Sequence, residues 1–562
     1  MFDAFTQSKD AVRNIINNAI KAAAEKGQLA QCEPFDFGVE IPADSNHGDL
    51  SSNAALVSAK VFRTAPARIA AAIADNIDLS GTPFSKCEIA GPGFINFFYS
   101  NEYLGSVVNG VLREGENYGH TELGKGKKMM VEFVSANPTG PMHLGNARGG
   151  ALGDCLASVL SAAGYDVWRE FYVNDTGNQI NNFGLSLEAR YLEIFDPSVP
   201  FPDEGYHGED IIERARQFAD IYGDTYVNKE PEERQKALIE FALPKNIQGL
   251  KDDLLKYRIS YDEWFLESSL YKDGTTDKVM GLLKDKGLTY EKEGAIWLKT
   301  TELGGEKDDV LIRANGFPTY FASDIAYHYN KFVLRGFDRV INIWGADHHG
   351  HVARLKGAME SLGVSSSRLD IVLMQLVELL QGGEKVRMSK RTGKAITLST
   401  LLDEISVDAA RFFFNMREPA THMEFDLDLA TKNDSDNPVY YVQYAHARIR
   451  SILRSLEASD IDLSGLADTD CSNLTEPEET SLIQFISYLP SRINTAAESM
   501  DPSAITKYAI DLATLFHKFY SKCRVKGEPD EIMFPRAALC MATLQTLENC
   551  LGILKVTAPE SM

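Results

Sequence analysis

With 562 residues, 44% of them hydrophobic and 24% charged, the chain has ordinary globular composition and room for three or four domains whose cores need no staples. Its net charge of −23 argues against a general nucleic-acid coat; no DNA partner is expected, and any RNA contact must be a local basic patch. Seven scattered cysteines without a C-x-x-C pair, no apolar run of membrane length, and an N-terminus (MFDAFTQSKDAV) without a basic or apolar leader predict a cytoplasmic chain with reduced thiols and no membrane partner.

Residues 1–115 read as a small, separate α/β domain. The pattern over 11–26 predicts an amphipathic helix, 53–62 a second and 66–77 a third. Thr64 precedes the third, and Pro66 sits in its first turn, where a missing N–H costs nothing. Residues 88–99, EIAGPGFINFFY, predict a strand, a turn at Gly91-Pro92-Gly93, and a second strand. On these residues alone a structural appendage is as good a reading as a functional domain. Lys125, Lys127 and Lys128 form a basic entry to the central strand, and on their own are a solvated run.

Residues 129–134 are apolar and partly β-branched, and a Ser-Ala-Asn-Pro-Thr-Gly-Pro cluster ends them as a strand entering a loop. Beyond the loop Leu152, Leu156, Val159 and Leu160 recur at helical spacing, with Gly164 as the stop. Strand, glycine-bearing turn and helix make the phosphate-handling end of a doubly wound α/β unit, because the helix start offers unpaired N–H groups to an anion. No Gly-Lys-Ser/Thr comes after it, so the turn is not a P-loop, and no G-x-G-x-x-G opens the helix. His143-Leu144-Gly145-Asn146 stands there instead. A lone histidine at a helix start is at least as often a cap. This tetrapeptide resembles the HIGH signature of class I aminoacyl-tRNA synthetases, with Asn146 in place of the second histidine. Its flanks VEFVSANPTGPMH and NARGGALGD resemble the arginyl-tRNA synthetase version of that motif. HGDLSSNAAL and GPGFINF, upstream, resemble the N-terminal domain of the same family, which implies contact with the outer corner of a tRNA.

Residues 166–172 predict the next strand, and Val173-Asn174-Asp175-Thr176-Gly177 after it resembles a turn of this family. From 195 to 300 the strand–helix rhythm is lost, and the stretch reads as an insertion between two halves of the fold. Apolar strands resume at 310–312, with PTYFASDIA next and then a strand at 339–344 that ends in Gly345-Ala346-Asp347-His348-His349-Gly350-His351. Ligands of open α/β sheets lie beyond the carboxyl ends of the strands, where this cluster falls. Three histidines and an aspartate invite a metal. The cluster is one compact turn rather than the i, i+4 pair of a hydrolytic site, so no zinc is expected. Residues 382–398, GGEKVRMSKRTGKAITL, place Lys385, Arg387, Lys390, Arg391 and Lys394 behind a Gly-Gly pair read as a hinge. A lone basic loop is usually solvated. Arg387-Met388-Ser389-Lys390-Arg391 resembles the KMSKS loop, and its place about 245 residues after HLGN makes the pair far more specific than either alone. Asp408-Ala409-Ala410-Arg411 resembles the DALR signature, with Ala410 for leucine. Helical patterns at 439–456, 480–500, 503–523 and 535–551 predict a bundle. The first carries Tyr440, Tyr441, Tyr444, His446, Arg448, Arg450 and Arg454, a mixture of stacking and charge suited to unstacked bases, although some of its tyrosines belong to a core.

The resemblance spans nearly the whole chain and implies an α/β fold. A class I Rossmann-like parallel-sheet catalytic domain at 116–405, with the insertion at about 195–300, would lie between the N-terminal α/β domain (1–115) and an all-α anticodon-binding domain (406–562). It implies activation of L-arginine by ATP and transfer to tRNA(Arg), with Mg2+ accompanying the ATP, in a monomeric cytoplasmic ligase. By resemblance His143, Asn146 and Lys390 are catalytic. Gly145, Gly345, Asp347, His351, Met388 and Ser389 meet ATP, and Glu132, Asn137, Tyr320, Asp324 and His348 meet arginine. Tyr444, His446, Arg448 and Arg450 meet the tRNA. The alternatives are a class I synthetase for another amino acid, a nucleotidylyltransferase with the same two motifs, or a non-catalytic tRNA-binding relative. The helical domain argues against the transferase, and retention of His143 and Lys390 argues against the non-catalytic relative.

Overall fold

A computed structural model gives the fold and describes residues 1–386 and 396–562. At its centre five parallel strands lie in the order Leu369–Met374, Arg339–Gly345, Lys128–Glu132, Asp166–Val173, Glu263–Leu266. Numbered along the chain this is 5-4-1-2-3, the doubly wound arrangement. Its switch point falls between Lys128–Glu132 and Arg339–Gly345, where ligands bind beyond the strand ends. Lys128–Glu132 is covered on both faces, which is why it reads as a continuous apolar run rather than an alternating one. The helix Leu144–Ala162 packs so tightly on the loop after this strand that a Cβ on Gly153 would come within 2.2 Å of the Phe133 ring. Gly150 and Gly153 of NARGGALGD thus serve close packing of the helix on this loop and its neighbours.

The structure revises several expectations. Residues 195–300 are not wholly outside the sheet, because Glu263–Leu266 is its edge strand. Short and preceded by two long charged helices, Glu209–Tyr222 and Pro231–Lys256, it left little rhythm to read. Asp309–Ile312 does not rejoin the central sheet. It pairs with Ala295–Leu298, which in turn pairs with Thr289–Lys292, in a small antiparallel sheet. The helix expected at 53–62 breaks into Ala54–Val57 and Ala59–Phe62, where the Ser58 hydroxyl donates back to the Ala54 carbonyl. The helix expected at 480–500 breaks at Tyr488, just before Pro490. Gly382 and Gly383, both at positive φ, make the two-residue turn of a hairpin between Val377–Gln381 and Glu384–Val386.

N-terminally, the helix Ala4–Glu25 packs with a four-stranded antiparallel sheet whose Phe84–Ala90 and Phe94–Tyr99 strands flank the Gly-Pro-Gly turn. C-terminally, Pro438–Glu457, Pro477–Ser487, Leu489–Ser499, Ser503–Lys522 and Asp530–Leu554 form the bundle. Asp530–Leu554 is long and apolar enough to cross a membrane, but most of its apolar stretch is buried within the bundle. A buried ionic joint ties this bundle to the helix of the HLGN motif. Arg411 donates to Asp154 at 2.6 Å and to the carbonyls of Leu554 and Tyr257, and Asp154 also receives Arg169.

Candidate active site

The loop after Lys128–Glu132 is strained. Val134 has φ 68° and Ser135 φ 43°, and a β-branched residue seldom adopts the first. The bend is held by Ser135, whose hydroxyl donates to Glu132 Oε1 at 3.0 Å and accepts the Tyr172 N–H at 3.2 Å. His143 is the N-cap residue of Leu144–Ala162, and its backbone N–H donates to Asn146 Oδ1 at 3.1 Å. Asn146 therefore uses its oxygen as a cap, and among the described residues its amide N–H groups have no partner. A Cβ on Gly145 would meet only the His143 ring, at 3.6 Å, so the space above the turn is open. The chain returns from 387–395 directly beside this turn: Leu398 N–H donates to Met142 O at 2.8 Å, and Thr397 bridges to His143. Lys390, Met388 and Ser389 lie outside the described residues.

Across the switch point the predicted substrate residues sort into two groups. Tyr320 and Asp324 lie on the helix Tyr320–Tyr329, one turn apart. Asp324 Oδ2 accepts from His351 Nε2 at 2.7 Å, and among the described residues Oδ1 has no partner. His351, expected at ATP, is thus 6% exposed in its side chain and committed to Asp324. Arg354, one turn after His351 on the helix His349–Ser361, donates to His351 Nδ1, to the Tyr320 hydroxyl and to Asp309. Glu132 is occupied differently. Its other oxygen takes the ammonium of Lys331, a fully buried lysine in a π-helical turn, and Lys331 continues to Asn342 Oδ1 at 3.1 Å. Asn342 donates to His328 Nε2, and His328 Nδ1–H donates to the Asp324 carbonyl, each at 2.7 Å. Burial, helped by the nearby Lys331 charge, holds His328 well below the usual histidine range, so it is neutral and links the two carboxylate neighbourhoods. Glu132, expected at arginine, is thus already neutralised by a buried lysine.

Glu267 is placed differently. This residue opens the helix Glu267–Lys272 directly after the edge strand and is 6% exposed. Its partners are neutral: the Tyr271 hydroxyl at 2.9 Å and the Asn174 amide nitrogen at 3.2 Å, with the amide turned toward it. Among the described residues no cation pairs with it. Tyr172 stands beside both Glu267 and Asp324, and burial, then these two charges, pushes its phenol well above the usual range. Tyr271 in turn shares a 2.6 Å hydrogen bond with Ser323, the residue before Asp324. Sequence reading missed Glu267 because it lay inside the presumed insertion. The signal was a carboxylate at the end of the short aromatic run EWFL.

Gly345, Asp347 and His348 close the same strand end. Asp347 lies over Gly345 so closely that a Cβ there would be 2.4 Å from its Oδ1, and His348 faces Asp347 at 3.7 Å. Asn137 is exposed on the strained loop. On Pro438–Glu457, Tyr440 stacks on Tyr444, and Arg448 donates to the Tyr444 hydroxyl at 2.9 Å, a half-exposed ladder. His446 and Arg450 lie on another face. His446 is fully buried between Pro559 O and Glu548, and Arg450 pairs with Glu548 and Glu560. For His446 a direct base contact is therefore withdrawn: both ring nitrogens are spent on the protein.

Three family models tile the chain: "Arginyl tRNA synthetase N terminal domain" at 10–99, "tRNA synthetases class I (R), catalytic domain" at 107–430, and "DALR anticodon binding domain" at 442–562. The chain belongs to the arginyl-tRNA synthetases. It is 55% identical over 556 residues to an arginine–tRNA ligase of Caldanaerobacter subterraneus subsp. tengcongensis, covering 99% of each chain. It is 50% identical to one of Acetivibrio thermocellus, again with 99% of each chain covered. The structure of Thermus thermophilus arginyl-tRNA synthetase superposes with a TM-score of 0.74 at 21% identity, over 98% of this chain and 100% of that one, and so shares the fold of this synthetase.

Proposed function

We propose a division of labour for the arginine–tRNA ligase reaction, in which ATP activates L-arginine to arginyl-adenylate and arginine then passes to the 3′ adenosine of tRNA(Arg). Asp324 and Glu267, on either side of Tyr172, take the guanidinium. A planar fork of five donors wants carboxylates, and these two have acceptor capacity that no lysine or arginine among the described residues fills. Tyr320, 63% exposed, closes the outer side of the pocket. Glu132, Asn137 and His348 meet the amino and carboxylate end, where Glu132, already paired with Lys331, accepts a hydrogen bond from the substrate ammonium. Two carboxylates beside Tyr172, neither paired with a lysine or arginine among the described residues, are the observation that carries this assignment.

The substrate carboxylate is already a nucleophile at neutral pH, so the chemistry needs positioning and charge stabilisation rather than a general base. His143 and Asn146 donate to phosphate oxygens at a helix start whose dipole favours anions, with Gly145 leaving room for the adenine and Gly345 and Asp347 at the ribose. Lys390, with Met388 and Ser389, meets the leaving pyrophosphate from a segment rooted beside His143. Magnesium would ride on the ATP phosphates, as this ion commonly does, keeping most of its waters. Tyr444 and Arg448 contact the anticodon arm, and the enzyme works as a monomer in the cytoplasm. Arginine-dependent pyrophosphate exchange, with and without tRNA(Arg), tests the scheme. Asp324→Asn should raise the arginine KM roughly a hundredfold while the ATP KM hardly moves. A normally folded variant with unchanged arginine KM and unchanged arginine-over-lysine selectivity overturns the pocket.

A further inference from the structure

The guanidinium of Arg354 is placed against the very groups that face the substrate guanidinium. Its Nε–H donates to His351 Nδ1 at 2.7 Å, one Nη to Asp309 Oδ1 at 2.6 Å, and the other Nη to the Tyr320 hydroxyl at 2.8 Å. The side chain is 19% exposed and Asp309 13%, so the fork is largely shielded from water. Arginine can only donate, so the acceptor state of His351 Nδ1 is imposed. The His351 proton must then sit on Nε2, from which it donates to Asp324 Oδ2 at 2.7 Å. Asp324 is left with one oxygen tied and one without a partner among the described residues.

We infer that Arg354 is a specificity-setting positioning residue, which keeps His351 neutral and in one tautomer so that the charge of Asp324 remains available to the substrate. The inference rests on the assignment of Asp324 to the arginine pocket and deepens it. It uses three consequences of the geometry. The fork locks the His351 ring between two partners, so Asp324 cannot rotate its free oxygen away. Blocking Nδ1 denies His351 a second proton, and a doubly protonated imidazole 2.7 Å from Asp324 would compete with the substrate cation. By holding a lone pair of the Tyr320 hydroxyl, Arg354 also fixes the orientation of a side chain that is otherwise 63% exposed. The charged and titratable groups brought to His351 are Asp324, His328 and Tyr320 from the helix Tyr320–Tyr329, Asp309 through Arg354, and Arg354 itself. Asp347 and His348, on the turn before it, face each other.

The test is steady-state aminoacylation of tRNA(Arg) by the full-length enzyme, at saturating ATP and tRNA, from pH 6 to 8, with melting temperatures recorded for each variant. Arg354→Gln should raise the arginine KM about tenfold at pH 7.5, with the KM for ATP and tRNA within twofold. Its arginine KM should climb further as the pH is lowered across this range, more steeply than that of the wild type. Arg354→Lys keeps the charge but loses the fork, and should give a smaller rise and little pH dependence. In the double variant His351→Asn, Arg354→Gln the pH dependence should vanish. An unaltered arginine KM in Arg354→Gln overturns the inference. So does a rise that is equal for arginine, ATP and tRNA and tracks a lowered melting temperature, and so does a pH dependence that survives His351→Asn. Asp324→Asn, run in parallel, separates the two readings. If it leaves the arginine KM unchanged the pocket itself is misassigned, and if it raises KM while the Arg354 variants do not, only the positioning role falls.

Discussion

Glu267→Gln should move stability and substrate binding in opposite directions. The side chain is 6% exposed, with no cation among its partners in the described residues, so folding buries a carboxylate whose charge only neutral donors offset. Glutamine keeps the shape and still accepts the Tyr271 hydroxyl, while Asn174 can turn its amide to present oxygen to the new NH2 group. The swap therefore orphans no polar group and removes one uncompensated charge, which should stabilise the free enzyme by about 1 kcal/mol. Arginine loses a charge-assisted hydrogen bond at the same position, worth about 1.5–3 kcal/mol, or roughly 10- to 150-fold in arginine KM. Denaturant unfolding of the free enzyme and aminoacylation at saturating ATP and tRNA give the two quantities. A protein that is less stable and has an unchanged arginine KM would show Glu267 to be a structural carboxylate at a helix start, and the reasoning would fail.

The same contacts carry other expected outcomes. Lys390→Ala should slow adenylate formation about 10²-fold with a smaller change in arginine affinity, as single-turnover kinetics will show; an unchanged rate would reject its role. Arg411→Met should destabilise the protein by about 3–5 kcal/mol, because Asp154 would keep only Arg169 in the buried joint and two carbonyls would lose their donor; a loss under about 1 kcal/mol in urea unfolding would contradict this. His328 is buried neutral with its folded-state pKa depressed, so below about pH 6.5 the unfolded chain takes up a proton that the folded chain refuses. Stability should accordingly rise with pH up to about 6.5, by at most about 1.4 kcal/mol per unit from this residue, and His328→Gln should flatten that slope in unfolding curves between pH 5 and 7. On the tyrosine helix Arg448→Ala should raise the tRNA KM and flatten its salt dependence with little loss of stability, whereas His446→Ala should lower the melting temperature first; reversed effects would put the other face on the RNA.

The sequence made legible whatever has a local signature. The strand–turn–helix around His143 and the Gly-Pro-Gly hairpin depend on residues within one or two turns of each other, and the structure forms both. The helices of the C-terminal part are legible for the same reason, since a 3.6-residue period survives any tertiary context. Boundaries failed where one polar or cyclic side chain competed with the helix, as at Ser58 and before Pro490. Glu263–Leu266 was missed because four residues carry too little periodicity to outweigh the long charged helices before them.

Charge balance in the pocket is a different kind of property. Glu132 and Glu267 are both carboxylates at the ends of sheet strands, and nothing in the sequence near either says which is free. Lys331 decides it from 199 residues away, because the switch-point topology lays Arg339–Gly345 beside Lys128–Glu132 and brings the π-helical turn before it over Glu132. Among the described residues no lysine or arginine pairs with Glu267, so its charge is the one left for a ligand to neutralise. Arg354 obeys the same logic: an arginine one turn after His351 is an ordinary helix-face cation until the fold sets Tyr320 and Asp309 against it. In the proposed pocket, specificity for a cationic amino acid comes less from the number of carboxylates than from which of them the protein's own cations leave unpaired, and that pairing follows from strand order.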